Sequence, residues 1–159
     1  MKYFGWILIL ITAACISKPQ EKSSGSLPGE TLVADTIIYD VIIRNRNPED
    51  AWTSLCLQNL KHEKLIDSLF SMVYSGKARA YNYDSNDPVK PNDLRRAEQE
   101  MEFSRSAIGK IQFTERWYLD NTDQVMKKEV LSLVLGHELY TESGDFIGYK
   151  PVFRILLNP

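Results

Sequence analysis

Apolar positions along this chain come in three patterns: one unbroken run, several helical stripes and several alternating strands. The unbroken run is Tyr3 to Ile11. After it, Ile16 to about Glu30 shows no periodic apolar face. Thr36-Ile37-Ile38-Tyr39-Asp40-Val41-Ile42-Ile43 is dense in β-branched and aromatic residues and predicts a strand that stops at Arg44-Asn45-Arg46. A helix is expected next, with Asn47 as N-cap, Pro48 at its first position, and Glu49 and Asp50 in its first turn. Trp52, Leu55, Cys56 and Leu60 would share its inward face. A second stripe, Leu65, Ile66, Leu69, Phe70 and Val73, is rotated from the first, which predicts a break near residues 59–62. Gly76 is the natural C-terminal cap.

Ala78 to Tyr83 predicts a short strand with Tyr81 and Tyr83 on one side, and Asp84 to Pro88 a loop. Pro91-Asn92-Asp93 opens a third helix, with Leu94, Ala97 and Met101 inward and Arg95, Arg96, Glu98, Glu100 and Glu102 as a solvated face. Ile111, Phe113, Trp117 and Leu119 alternate with polar neighbours, Glu115 being the exception in the apolar register. Asp120 to Asp123 is a turn, Lys127 to Leu135 a central strand apolar on both sides, Thr141 to Asp145 a second turn, and Pro151 to Leu157 the last strand. Short connections imply antiparallel neighbours. The expected fold is therefore α+β: one domain with about three helices packed on an antiparallel sheet.

The first run changes meaning in context. Lys2 supplies a positive start, and Thr12-Ala13-Ala14-Cys15 sets small residues before a cysteine. The apolar stretch is much shorter than the roughly 20 residues that cross a bilayer. Its order is that of a secretory signal, and with Cys directly after the small pair it resembles a bacterial lipobox in which Cys15 is acylated. Each buried acyl methylene contributes about 0.8 kcal/mol, so more than one chain anchors stably. The expected organisation is a signal peptide over 1–14, a lipidated N-terminus and flexible tether over 15–34, and the folded domain over 35–159. A Ser-, Gly- and Pro-rich tether of this size has an end-to-end distance of roughly 20–25 Å, which keeps the domain near the membrane surface.

Composition excludes more than it identifies. The formal net charge is −2 with Lys and Glu interspersed, so no clustered basic face predicts nucleic-acid binding. With Cys15 committed to lipid, Cys56 has no disulfide partner and is expected as a small buried hydrophobe. His62-Glu63 and His137-Glu138 begin like zincin motifs but lack the second His four residues on. No phosphate loop, nucleophile elbow or calcium loop is present in the sequence, and no catalytic residue, metal or cofactor is expected. Within Arg116-Trp117-Tyr118, Trp117 falls in the core register while Arg116 and Tyr118 face the other way as partner contacts. Tyr81, Tyr83 and Tyr118 are the members of an aromatic patch for a small molecule or peptide. Glu115, if buried, needs a cation such as Arg79, Lys127 or Arg154.

Leu69-Phe70-Ser71-Met72-Val73-Tyr74-Ser75-Gly76-Lys77-Ala78-Arg79-Ala80-Tyr81, followed by a helix ending Glu98-Gln99-Glu100-Met101, resembles the gliding-motility protein GldN (PorN-like) family. So do Ile111 to Asp120 with its Trp117-Tyr118, Val130 to Leu135, and Pro151-Val152-Phe153, in the same order. The resemblance implies a periplasmic component of the type IX secretion and gliding apparatus of Bacteroidetes. It implies an assembly partner in the envelope and no catalytic residues. Family members usually carry a plain signal, whereas this chain has Cys15. The combined expectation is a non-enzymatic lipoprotein scaffold in the cell envelope, on the outer membrane facing the periplasm. Its partners would be the bilayer, envelope proteins and further copies of itself. The alternative is a stand-alone lipoprotein that binds a ligand through the aromatic patch.

Overall fold

The computed structural model describes residues 30–157, so the signal segment and Cys15 lie outside the described residues. Among the described residues six strands form one sheet: β1 (Glu30–Ile42), β2 (Arg79–Tyr81), β3 (Pro88–Val89), β4 (Ile108–Asp120), β5 (Val125–Tyr140) and β6 (Phe146–Leu156). Their order is β1-β4-β5-β6-β2-β3, and neighbours run antiparallel. Three helices, α1 (Ala51–Leu57), α2 (His62–Tyr74) and α3 (Pro91–Gln99), complete an α+β domain.

Register explains which side chains meet. Tyr39, Phe113, Leu133, Ile155, Ala80 and Val89 lie in one row across the sheet. Because side chains alternate along a strand, Val41, Ile111 and Leu135 share that face one step on. Here α2 buries Ile66, Leu69, Phe70 and Val73, and Phe70 meets Phe153 edge to face at 5.1 Å. The next row, Asp40, Gln112, Val134, Arg154 and Tyr81, points to the opposite face.

The second helix and its stripe form as the periodicity predicts, and Gly76 follows it at φ +74°, a left-handed position that glycine adopts freely. Other local expectations shift. The strand expected from Thr36 begins at Glu30, with Thr31, Leu32 and Ala34 opposite Leu119, Tyr118 and Trp117. Residues 30–34, expected as tether, are strand because β4 is long enough to offer them an edge. The first helix starts after Asp50, whose carboxylate accepts from the Thr53 amide (3.0 Å) and hydroxyl (2.7 Å). Asn47 instead accepts from the Glu49 amide at 3.1 Å and makes a turn. With only seven residues, α1 buries none: Trp52 is 73% and Leu55 54% exposed, and Cys56 is exposed rather than a core residue.

At the end of α3, Leu94 is buried as expected, but Met101 sits at φ +62° and is 78% exposed. The helix has stopped by then, and Phe103 enters the core instead, 5.6 Å from the Phe70 ring. Glu98 is not merely solvated. It accepts from Tyr74 Oη (2.6 Å) and from Arg105 (2.5 and 2.9 Å), and Arg105 also reaches Asp67 at 2.9 Å, tying α2 and α3 to the short 3₁₀ turn Arg105–Ala107. Arg105 pulls the Glu98 carboxyl below its ordinary range, while burial and Glu98 push the Tyr74 phenol up to about 12.

Candidate binding surfaces

The four residues expected to contact partners occupy two distant places. Tyr81 is half-buried in β2, whereas Tyr83 lies beyond the strand in the following turn, 5.5 Å from the Arg154 guanidinium. Arg116 and Tyr118 are on β4, three strands away from β2 in the sheet. Tyr81 is in the row of Gln112, and Tyr118 is six residues further along the strand. That separates them by roughly 14 Å across the strands and about 20 Å along them. Both β4 residues are also engaged: Arg116 donates to Asp35 at 2.9 Å, and Tyr118, only 8% exposed, donates to Glu129 at 3.0 Å. Arg116 lowers the Asp35 carboxyl, and desolvation raises the Tyr118 phenol. A single aromatic patch of Tyr81, Tyr83 and Tyr118 is not formed.

Glu115 is buried, as its register implied, but its cation is none of those anticipated. It accepts from Tyr39 Oη and Trp117 Nε1, each at 2.9 Å, with Lys128 Nζ at 3.9 Å. Lys128 also lies 4.6 Å from the Trp117 ring and 5.5 Å from that of Tyr39. The hairpin register decides the identity. Lys128 pairs with Trp117 and shares its face, while Lys127 pairs with Tyr118, points the other way and bonds Glu30. Arg79 and Arg154 belong to strands beyond β5. Counting parity through the turn at residues 121–124 would have identified Lys128.

Alternation also separates the two residues of the abortive zincin motif. His137 and Glu138 are consecutive in β5 and therefore face opposite sides of the sheet, so they cannot share a ligand. Glu138 is 1% exposed and accepts from Arg44 and from Tyr140 Oη (2.6 Å). Its Oε1 has no hydrogen-bond donor and rests against Gly109, where a Cβ would come within 2.2 Å. Nearby, the Arg46 guanidinium stacks 3.4 Å above the Phe146 ring.

His137 faces the helix side and lines a cleft of about 290 Å³ with Leu94, Ala97, Phe103, Lys150 and Val152. Its Nδ1 is buried without a partner, and burial lowers its pKa. The cleft combines apolar Leu94, Ala97, Phe103 and Val152 with polar His137 and Lys150, and its size suits a small side chain or ligand. The signal in the sequence was faint: His137 two residues after Leu135 in one register, with Lys150 opposite it in β6. His62 makes a structural bond, Nε2 to the Ile108 carbonyl at 2.6 Å. Among the described residues no group of three or more His, Cys, Asp or Glu side chains converges as a metal site, and no helix is long and apolar enough to cross a membrane. No family model and no curated protein matches the chain.

Proposed function

We propose that this chain is a cell-envelope lipoprotein, anchored through acylated Cys15 to the outer membrane on its periplasmic side. Its domain serves as a non-enzymatic scaffold or assembly component, similar to parts of the type IX secretion and gliding apparatus. The observation that carries the reading is Thr12-Ala13-Ala14-Cys15 behind an apolar run, fifteen residues ahead of the strand that starts at Glu30. Fifteen residues span at most about 50 Å when fully extended, so the anchor confines the domain to a shallow layer beside the bilayer.

Membrane fractionation of the Cys15→Ala variant tests the anchor. The variant should be folded and soluble, whereas retention in the membrane fraction equal to that of the parent would refute acylation. Mild crosslinking in native membranes tests the scaffold role, which predicts recovery of envelope proteins only from the anchored form. Recovery of the chain with no envelope partner would overturn it.

The cleft beside His137 favours a second reading, a ligand-binding lipoprotein whose site is that cleft rather than the tyrosine patch. It predicts that a bound small molecule shifts the His137 ring resonances in NMR spectra before any others. Ligands that shift only surface residues would exclude it.

A further inference from the structure

β1 is one of the two edge strands of the sheet, and one bond fixes which of its backbone groups face outward. The Ile43 amide donates to the Gly109 carbonyl at 2.9 Å, with Ile42 opposite Lys110. Bonded and non-bonded pairs alternate along an antiparallel ladder, and the register from Ile37 to Ile42 is unbroken. Hence Ile43, Val41, Tyr39 and Ile37 turn their amides and carbonyls toward β4. Ile38, Asp40 and Ile42 turn theirs outward, where no backbone group of the described residues meets them. Their side chains share the sheet face opposite the helices, and Ile38 and Ile42 are 59% and 41% exposed on either side of Asp40. An open strand edge with exposed β-branched residues is a template for another strand.

We propose that β1 pairs with β1 of a second copy of this chain, antiparallel about a two-fold axis at Asp40. In that register Ile38 stands opposite the partner's Ile42, Ile42 opposite the partner's Ile38, and the two Asp40 residues face each other. All the outward amides and carbonyls of Ile38, Asp40 and Ile42 then bond across the interface, and both isoleucine pairs pack on one face. Shifting by two residues in one direction engages Thr36, which sits in a bulge at φ +59°. Shifting the other way runs past the strand's end at Ile42. A one-residue shift opposes outward groups with inward ones.

Two facing carboxylates would ordinarily repel. Here Lys110 Nζ holds Asp40 at 2.8 Å and Gln112 Nε2 at 3.0 Å, so each charge is compensated within its own chain. That internal compensation favours a second copy over a foreign basic strand.

The inference deepens the scaffold reading and rests on it, and oxidative crosslinking of the full-length protein in detergent tests it. The background is Cys56→Ser, which removes the exposed thiol and sets the baseline. Asp40→Cys should form a disulfide-linked dimer at least tenfold above that baseline, since bonded antiparallel pairs hold Cα atoms about 5.5 Å apart. Ile38→Cys alone should stay near baseline, while Ile38→Cys with Ile42→Cys should crosslink as Asp40→Cys does. Light scattering of the parent should give a dimer, and Lys110→Glu, which leaves Asp40 uncompensated, should shift it to monomer. A monomeric parent, or equal crosslinking of Asp40→Cys and Ile38→Cys, would overturn the proposal. Capture of only a foreign chain, or protection of the edge by the chain's own first 29 residues, would overturn it too. A monomer that still sediments with membranes would refute the pairing and leave the anchor standing. A soluble dimer would do the reverse.

Discussion

The two ends of the sheet are built on different physics. Toward the helices, strands β4, β5 and β6 bury Ile111, Leu135, Phe153 and Ile155 against Phe70 and its neighbours, an apolar core on the helix side, with Glu138 buried on the opposite face. Toward the other end, β6 stops opposite Ser132, and β1, β4 and β5 continue as a three-stranded ribbon. The apolar cluster reaches only Phe113 and Val130. Beyond it the ribbon's helix-side face is organised around one buried carboxylate, Glu115, clasped by Tyr39, Trp117 and Lys128. Packing tolerates loss in proportion to volume. A buried charge fails when any one of its few partners is removed.

The largest expected effect is in the covered half. Phe70→Ala should cost about 3–5 kcal/mol in urea unfolding, because a fully buried ring leaves a cavity among Phe103, Phe153 and Tyr74. A loss under about 1 kcal/mol would mean that this core is loosely packed. Next, Gly109→Ala should destabilise by roughly 1–3 kcal/mol, since its Cβ would strike the Glu138 carboxylate. Shortening that neighbour as well, with Glu138→Ala, should make the two changes non-additive in a double-mutant cycle.

Glu115→Ala sharpens the contrast between the two ends. It strands the Tyr39 hydroxyl and the Trp117 indole, for an expected loss of roughly 1–3 kcal/mol. Hydrogen exchange should accelerate in residues 34–39 and 115–130 while α2 amides keep their protection. Uniform acceleration would show that the ribbon and the core unfold as one unit.

The smallest effects are pH-dependent and belong to the helix side. The Glu98 carboxyl is lowered, chiefly by Arg105, so its contribution is present above the unfolded carboxyl range and lost as pH falls through the lowered value. His137 is lowered by burial, so acidification below its ordinary pKa, near 6.5, also removes stability. The Tyr74 phenol is raised to about 12, so its contribution is intact below about 10 and fades as pH climbs from there through 12. Tyr74→Phe should flatten the alkaline limb of the unfolding curve, and an unchanged limb would show that Tyr74 does not shape it.

Sequence periodicity sufficed wherever one face alone decided the outcome. The α2 stripe, the Gly76 cap and the alternation of β4 are all local patterns, and so the α+β class was legible. Positions settled by a distant partner were not. Met101 fits a helical stripe, yet the chain leaves the helix before it, and Phe103 takes the core position. Trp52 and Leu55 form a stripe on a helix too short to bury one. Lys128 rather than Lys127 reaches Glu115 because of hairpin parity, which no propensity encodes. The His137 cleft was hidden for a similar reason, since α3 supplies one wall and β6 another.

The start of β1 has a mechanical consequence. Glu30 lies opposite Asp120, at the ribbon's tip, and the strand runs from there back toward the helix-covered body. Tension entering at Glu30 and directed away from the body pulls along the strand axis, so it loads the bonds of the β1–β4 ladder side by side, in shear, instead of opening them one after another. The same tension directed sideways would peel the strand from Glu30 inward. If it were tied down at this end, the chain would be strong in one direction and weak in another, and the direction of pull would decide which.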